Sequence, residues 1–240
     1  MTVAIGPWGD DLAAFDEWAA TGAGAEARLR EPSGFIASRF SPLVYTAVSR
    51  CLEAHGAGLD RARTGVVLTS VLGDTTTADV ASRNLAAGRV HNPLLFYQSV
   101  PTSVLGYLGR EHGIRGPLVC VSAGADAAQR AAELAELMLA SGDADAVLVL
   151  YVELRAGERG DRIHDALRDG PLAGLACDDD VVVCLLLHRD GAGAPRNANE
   201  DDEMTVPLPT AYPRRLGSAA REFIAWAART QPSPAGTRSA

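Results

Sequence analysis

The stretch Gly116-Pro-Leu-Val-Cys-Val-Ser-Ala-Gly-Ala-Asp126 decides the fold of this chain. Residues 118–122 form a short apolar run that predicts a strand. Residues 126–140 then have helical spacing, and a second apolar run, residues 146–152, follows Ser141-Gly142-Asp143. The apolar positions of the helix lie on one face: Ala127, Ala131, Leu134 and Met138. Strand, helix and strand in this order predict a βαβ unit with parallel strands.

The flanking segments continue the alternation of helix and strand patterns. Three upstream segments predict a helix, a buried strand and a second helix: residues 41–55, 65–72 and 74–87. Residues 94–112 also have helical spacing, but Pro101 inside them predicts a kink or two helices that meet there. Downstream, the unbroken apolar run of residues 181–188 predicts a central strand. The chain is therefore expected to be an α/β protein.

Composition divides the chain into four segments and argues against binding to nucleic acid or to an anionic membrane. Residues 1–190 contain the predicted elements, residues 191–206 have linker composition, residues 207–230 predict a C-terminal helical segment, and residues 231–240 predict a disordered tail. The net charge of -8 argues against nucleic acid or an anionic membrane as a partner. Neither a basic leader nor an apolar run of ~18 residues is present, so we expect a cytoplasmic protein.

The cysteines predict no metal centre, and no cofactor is expected. Cys51, Cys120, Cys177 and Cys184 have no CxxC spacing, so free thiols are predicted in place of a zinc site or disulfides. Cys120 is interpreted as a buried core residue. Asp126, with Gln129 three residues later, predicts a capping box at the start of a helix.

The segment around Gly116 resembles the active-site strand and turn of the β-ketoacyl synthases, enzymes of the thiolase-like fold. In that family a Gly-Pro leads into a strand, the strand ends in Thr-Ala-Cys, and the following helix closes on Ser-Gly-Glu/Asp. Counts from Gly116 and from Ser141-Gly142-Asp143 both place the family's cysteine on Ala125. A condensing enzyme needs a thiolate there. The resemblance therefore implies that the chain has no catalytic residue at this position, and Cys120 lies ~17 Å back along the strand.

The resemblance covers roughly residues 65–188 and implies mostly the N-terminal half of the fold, with a truncated C-terminal half. Residues 1–190 would then be a ketosynthase N-terminal-like domain. In the family the second half supplies two catalytic histidines, and no histidine follows His188 here. His55, in Glu53-Ala-His-Gly-Ala-Gly58, resembles a catalytic histidine loop but precedes the first strand of the βαβ core. We interpret it as a cation at a helix C-terminus.

Residues 91–103, His-Asn-Pro-Leu-Leu-Phe-Tyr-Gln-Ser-Val-Pro-Thr-Ser, are similar to chain length factors of type II polyketide systems, especially reducing systems that make polyenes. Those proteins form heterodimers with a complete ketosynthase that performs the chemistry. The resemblance implies a non-catalytic subunit that shapes the acyl tunnel of such a partner, with acyl carrier protein bound through the complex. Ala125 departs from the Gln that chain length factors of aromatic systems usually carry.

The same resemblance implies which residues face the partner. The strand at residues 118–122 would pair with its counterpart across the dimer axis, and the helix at residues 94–108 would point side chains toward the tunnel. The implied tunnel or interface residues are Phe96, Tyr97, Val100, Val104, Leu105, Leu108, Leu118, Cys120 and Ser122. The alternative role of each is core or interface packing.

Two other functions are left open. One is a ketosynthase-like scaffold without effect on the product. The other is an independent serine hydrolase, because Cys120-Val-Ser122-Ala-Gly124 resembles a nucleophile elbow in which Cys replaces the first Gly. Its triad would need His164 or His188.

Overall fold

The computed structural model describes residues 2–5, 29–55, 58–89, 93–122, 124, 126–155, 157–169, 173–177 and 180–188. Ala125 lies outside the described residues, as do the predicted linker, C-terminal helical segment and tail. His55 ends a helix as expected, but its side chain is outside the described part. No helix in the described ranges combines the length and the apolar composition that a membrane span requires.

In the part of the chain that the structure describes, the core is one mixed sheet of five strands. The strands are β1 (Thr2–Ile5), β2 (Thr64–Thr69), β3 (Leu118–Val121), β4 (Ala146–Glu153) and β5 (Val181–His188). They lie in the order β1-β5-β4-β2-β3. The strands β2, β3 and β4 are parallel, while β5 runs antiparallel to both β4 and β1. The predicted βαβ unit is confirmed, with β2 inserted between its two strands.

Six α-helices within the described ranges connect or cover the strands. They are α1 (Phe40–His55), α2 (Thr75–Ala86), α3 (Pro93–Ser99), α4 (Thr102–His112), α5 (Ala127–Ser141) and α6 (Glu158–Arg168). The break expected at Pro101 is present, because Pro101 lies between α3 and α4 and caps the start of α4. The helices and strands predicted between residues 41 and 188 are thus confirmed, although β2 ends at Thr69 and not at residue 72.

Both faces of the sheet are covered. Every residue of β2 and β4 is buried, and so are residues 181–187 of β5. The connections from β2 to β3 and from β3 to β4 run in opposite directions along the sheet, so right-handed crossovers place their helices on opposite faces. The helices α1 and α4 contact each other, while α5 packs on β2 and β4. The α/β class expected for this chain is confirmed.

One local prediction is wrong, and one helix is not predicted from the sequence. The polar stretch of residues 155–169 contains that helix, α6. Asp126 precedes α5, yet its side chain makes no capping hydrogen bond. It pairs instead with Arg130 at 2.9 Å, and Gln129 donates to Glu133, so both side chains are satisfied along the exposed helix surface.

Candidate functional site

The strand β3 is at one edge of the sheet. Among the described strands it pairs with β2 alone. Its four residues are apolar and incompletely buried; Leu118 is 38% exposed and the next three are intermediate. Cys120 is therefore half-buried and not a core residue as predicted, and burial raises the pKa of its thiol. An apolar edge strand with unpaired backbone groups is a template for another chain.

The glycine of the Gly-Pro that precedes β3 is required for steric reasons. A Cβ atom at Gly116 would lie 2.4 Å from the carbonyl oxygen of Thr64, so only glycine fits. The amide of Gly116 donates to that carbonyl at 3.1 Å, and the carbonyl of Pro117 accepts from Val66. The dipeptide thus fixes the register of β3 on β2.

The turn after β3 leads directly into α5. Ser122 is exposed, and its hydroxyl donates to the carbonyl of Val71 at 3.1 Å. The amide of Ala127, the first residue of α5, donates to the carbonyl of Gly124. The sequence position that a ketosynthase fills with cysteine, Ala125, falls between Gly124 and Asp126, both of which are exposed.

The short helix α3 presents apolar side chains to solvent. Phe96 is 76% exposed, Tyr97 49% and Val100, just after the helix, 37%. Two contacts hold the helix in place: the side chain of Gln98 donates to the carbonyl of Gly34, and the Tyr97 hydroxyl donates to the carbonyl of Ser103 at 3.3 Å. These two hydrogen bonds fix the backbone that bears the exposed side chains of Phe96, Tyr97 and Val100.

The next helix places its predicted tunnel residues inside the subunit. Val104, Leu105 and Leu108 are 0%, 1% and 0% exposed and belong to the hydrophobic core. Because α4 contacts β3 and α1, its apolar face is used within the chain. This corrects the expectation that these three side chains point toward a partner, and it leaves Phe96, Tyr97 and Val100 as the exposed members of the helical set.

A groove of about 750 Å³ lies between α2 and α3. Small residues of α2, Ala78 and Ala81, form its floor, and Leu85 and Phe96 contribute large apolar side chains. Leu85 is 66% exposed. The groove thus connects the exposed Phe96 of α3 with the exposed Leu85 of α2. Sequence periodicity could not indicate this groove, because the groove depends on how the two helices pack.

Sequence analysis missed a buried carboxylate near the turn after β3. Glu153, the last residue of β4, is fully buried. Its Oε2 accepts the amide of Val71 at 2.8 Å and its Oε1 the amide of Leu72 at 3.1 Å. Burial raises the pKa of Glu153 to about 7, against the effect of these bonds and of the Ser70 hydroxyl. The residue holds the end of β4 to the turn that follows β2.

The geometry does not support a serine hydrolase. His188 lies at the opposite end of the sheet from Ser122, about 20 Å along the strands and three strand spacings away. His164 is buried, its Nδ1 accepts the amide of Cys177 at 3.3 Å, and its Nε2 therefore carries the proton that bonds to the carbonyl of Leu154. The hydroxyl of Ser122 itself donates to a backbone carbonyl. Neither histidine is arranged to activate it.

Comparison with known proteins establishes the family. The sequence model of the β-ketoacyl synthase N-terminal domain matches residues 31–168. Since this is more than half of the chain, the chain belongs to the β-ketoacyl synthase N-terminal domain family. Among curated protein sequences, none matches it.

Solved structures with the same fold include pairs of ketosynthase and chain length factor. The ishigamide ketosynthase/chain length factor has a TM-score of 0.59 and 20% identity, with 81% of this chain and 64% of that chain covered. A ketosynthase (ApeO) in complex with its chain length factor (ApeC) from Xenorhabdus doucetiae has a TM-score of 0.54 and 22% identity, with 79% and 78% covered.

A third similar structure is AntDE:AntF, a type II polyketide synthase acyl-carrier protein in complex with its ketosynthase bound to the hexaketide. Its TM-score is 0.55 and its identity 16%, with 78% of this chain and 61% of that chain covered. This chain therefore spans less than two thirds of the length of the first structure and of the third. At these identities the similarity establishes the ketosynthase fold.

Proposed function

We propose that this chain is a non-catalytic, chain-length-factor-like subunit that forms a heterodimer with an active ketosynthase and shapes its acyl tunnel. The proposal includes a polyketide or fatty-acid-like product of the reducing, polyene type, delivery of acyl groups by an acyl carrier protein bound through the complex, and a cytoplasmic location. The coarser part, a chain-length-factor-like role beside a ketosynthase, is supported by the similar structures, which include pairs of ketosynthase and chain length factor.

The main observation that supports the proposal is the position of β3 at the edge of the sheet. An apolar edge strand that pairs with β2 alone among the described strands, and that has Leu118 38% exposed, is what strand pairing with another subunit would cover. The exposed Phe96, Tyr97 and Val100 add an apolar surface of the kind that marks a protein interface. A ketosynthase of the same fold would offer a matching edge.

The non-catalytic part of the proposal is supported by residue 125. Alanine has no group that could be acylated, and the half-buried Cys120 lies within β3 with a raised thiol pKa, which disfavours the thiolate. The tunnel-shaping role is assigned to α3, because its exposed Phe96 borders the groove between α2 and α3 and Tyr97 is exposed beside it.

Replacement of Leu118 by Arg tests the pairing. A charge at the edge strand should lose its hydration on pairing, so Leu118→Arg should weaken the complex with the ketosynthase partner by about tenfold or more. Leu137→Arg is the matched control, because Leu137 is also an exposed apolar residue, at 62%, but lies on α5. Light scattering after co-purification measures both. Equal loss with the two variants, or no complex with the unaltered chain, would contradict the proposal.

A further inference from the structure

The turn between β2 and α2, residues 70–73, joins three parts of the structure that are far apart in sequence. On one side the carboxylate of Glu153 accepts the amides of Val71 and Leu72. The Ser70 hydroxyl also bonds to Glu153 and accepts the amide of Gly73 at 2.8 Å. Each oxygen of the carboxylate therefore accepts a hydrogen bond from the turn, and these bonds compensate the buried charge.

The other side of the turn bonds to the end of β3. The amide of Ser70 donates to the carbonyl of Val121 at 3.2 Å, and the carbonyl of Val71 accepts the hydroxyl of Ser122 at 3.1 Å. The amide of Val71 thus donates to Glu153, and its carbonyl accepts from Ser122. These hydrogen bonds connect the C-terminal end of β4 to the turn before α5.

From this geometry we propose that Glu153 is a positioning residue, whose ionised carboxylate holds the 70–73 turn and, through Val71 and Ser122, sets the conformation of the end of β3 that faces the partner. The inference rests on the proposed function for its effect on partner binding. Its effect on the free chain does not depend on that function.

Protonation changes what Glu153 can accept. One oxygen of a neutral carboxyl group carries a proton and is a poor acceptor, so one of the two amides loses its partner. The pKa of about 7 places this change near neutral pH. Burial and the charge of Glu153 raise the pKa of Tyr151 on β4. Asp180, next to the Val181 that pairs with Glu153, is held by Arg39 at 3.1 Å. Asp74, beyond the turn, bonds to Ser38 and Thr77.

Amide hydrogen exchange on the free full-length chain tests the positioning. Glu153→Gln keeps the shape but replaces one acceptor oxygen with a donor, so residues 70–73 and 118–122 should both exchange faster, and the variant should lose the change in protection that the unaltered chain shows between pH 6 and pH 8. Ser122→Ala should loosen residues 118–122 alone. Asp180→Asn, which alters another buried carboxylate, should leave both segments unchanged. Faster exchange at residues 70–73 alone in Glu153→Gln would overturn the proposal.

Affinity for the ketosynthase provides the second readout. Binding by the unaltered chain should weaken by about tenfold as the pH falls from 8 to 6, whereas Glu153→Gln should bind about tenfold more weakly at pH 8 and respond less to pH, since a hydrogen bond to a charged group is lost in each case. If Glu153→Gln and the unaltered chain bound the ketosynthase with equal affinity and an equal response to pH, the role of Glu153 in binding would be overturned. If no complex forms at any pH, the proposed function fails, and the exchange experiment alone decides the positioning role.

Discussion

Ala125 carries a methyl group where a condensing enzyme needs a thiolate. We therefore expect the purified chain to take no acyl group from an acyl-loaded carrier protein. Intact-mass spectrometry after incubation measures this, and the ketosynthase partner, treated in the same way, is the control that should gain the acyl mass. An adduct on Cys120 would contradict the expectation, because its half-buried thiol has a raised pKa and should react slowly at neutral pH.

The helix α3 is the element on which product length should depend. Val100 is 37% exposed beside Phe96 and Tyr97, so Val100→Trp would add a large ring on the side that is proposed to face the tunnel. Overpacking costs about 1–3 kcal/mol for an acyl chain that reaches it, or roughly a ten- to hundredfold discrimination. The heterodimer should keep its initial condensation rate and lose the longest product, as measured by product profiles from the reconstituted system.

Leu105→Trp on α4 is the contrasting substitution. Leu105 is 1% exposed, so the larger ring would strain the subunit's own core and lower its stability without shifting the products of the remaining complex. An unchanged distribution with all three exposed positions of the α3 segment altered would favour a scaffold without effect on the product.

At the scale of the whole molecule, the exposed apolar side chains bear on solubility. Ile36 is 88% exposed and Phe96 76%, and a soluble monomer seldom leaves many such groups uncovered. Expressed alone, the chain should aggregate or self-associate; co-expressed with its ketosynthase, it should elute as a 1:1 complex whose interface exceeds ~2,000 Å². Size-exclusion chromatography with light scattering distinguishes the two. A monomer with one cooperative unfolding transition would count against a subunit that needs a partner.

The sequence predicted those elements whose burial leaves a regular pattern of apolar residues along the chain. Apolar runs marked β2, β4 and β5 because these strands are buried on both faces. The polar helix α6 was missed because most of its side chains are exposed and only Gly160 and His164 are buried. Glu153 was missed for another reason: its burial depends on amides more than eighty residues earlier. The inward direction of Val104 and Leu105 likewise depends on packing that spacing alone does not reveal.

The register between β1 and β5 sets an order of events during synthesis. Ile5 pairs with Leu185, so one edge of the sheet is completed by pairing of the first and the last described strands. At ribosomal rates of 5–20 residues per second, Ile5 waits about 9–36 s for its neighbour. The opposite edge has no such delay, because β2, β3 and β4 are made in succession. A nascent chain could therefore meet its partner at β3 before the far edge of the sheet has closed.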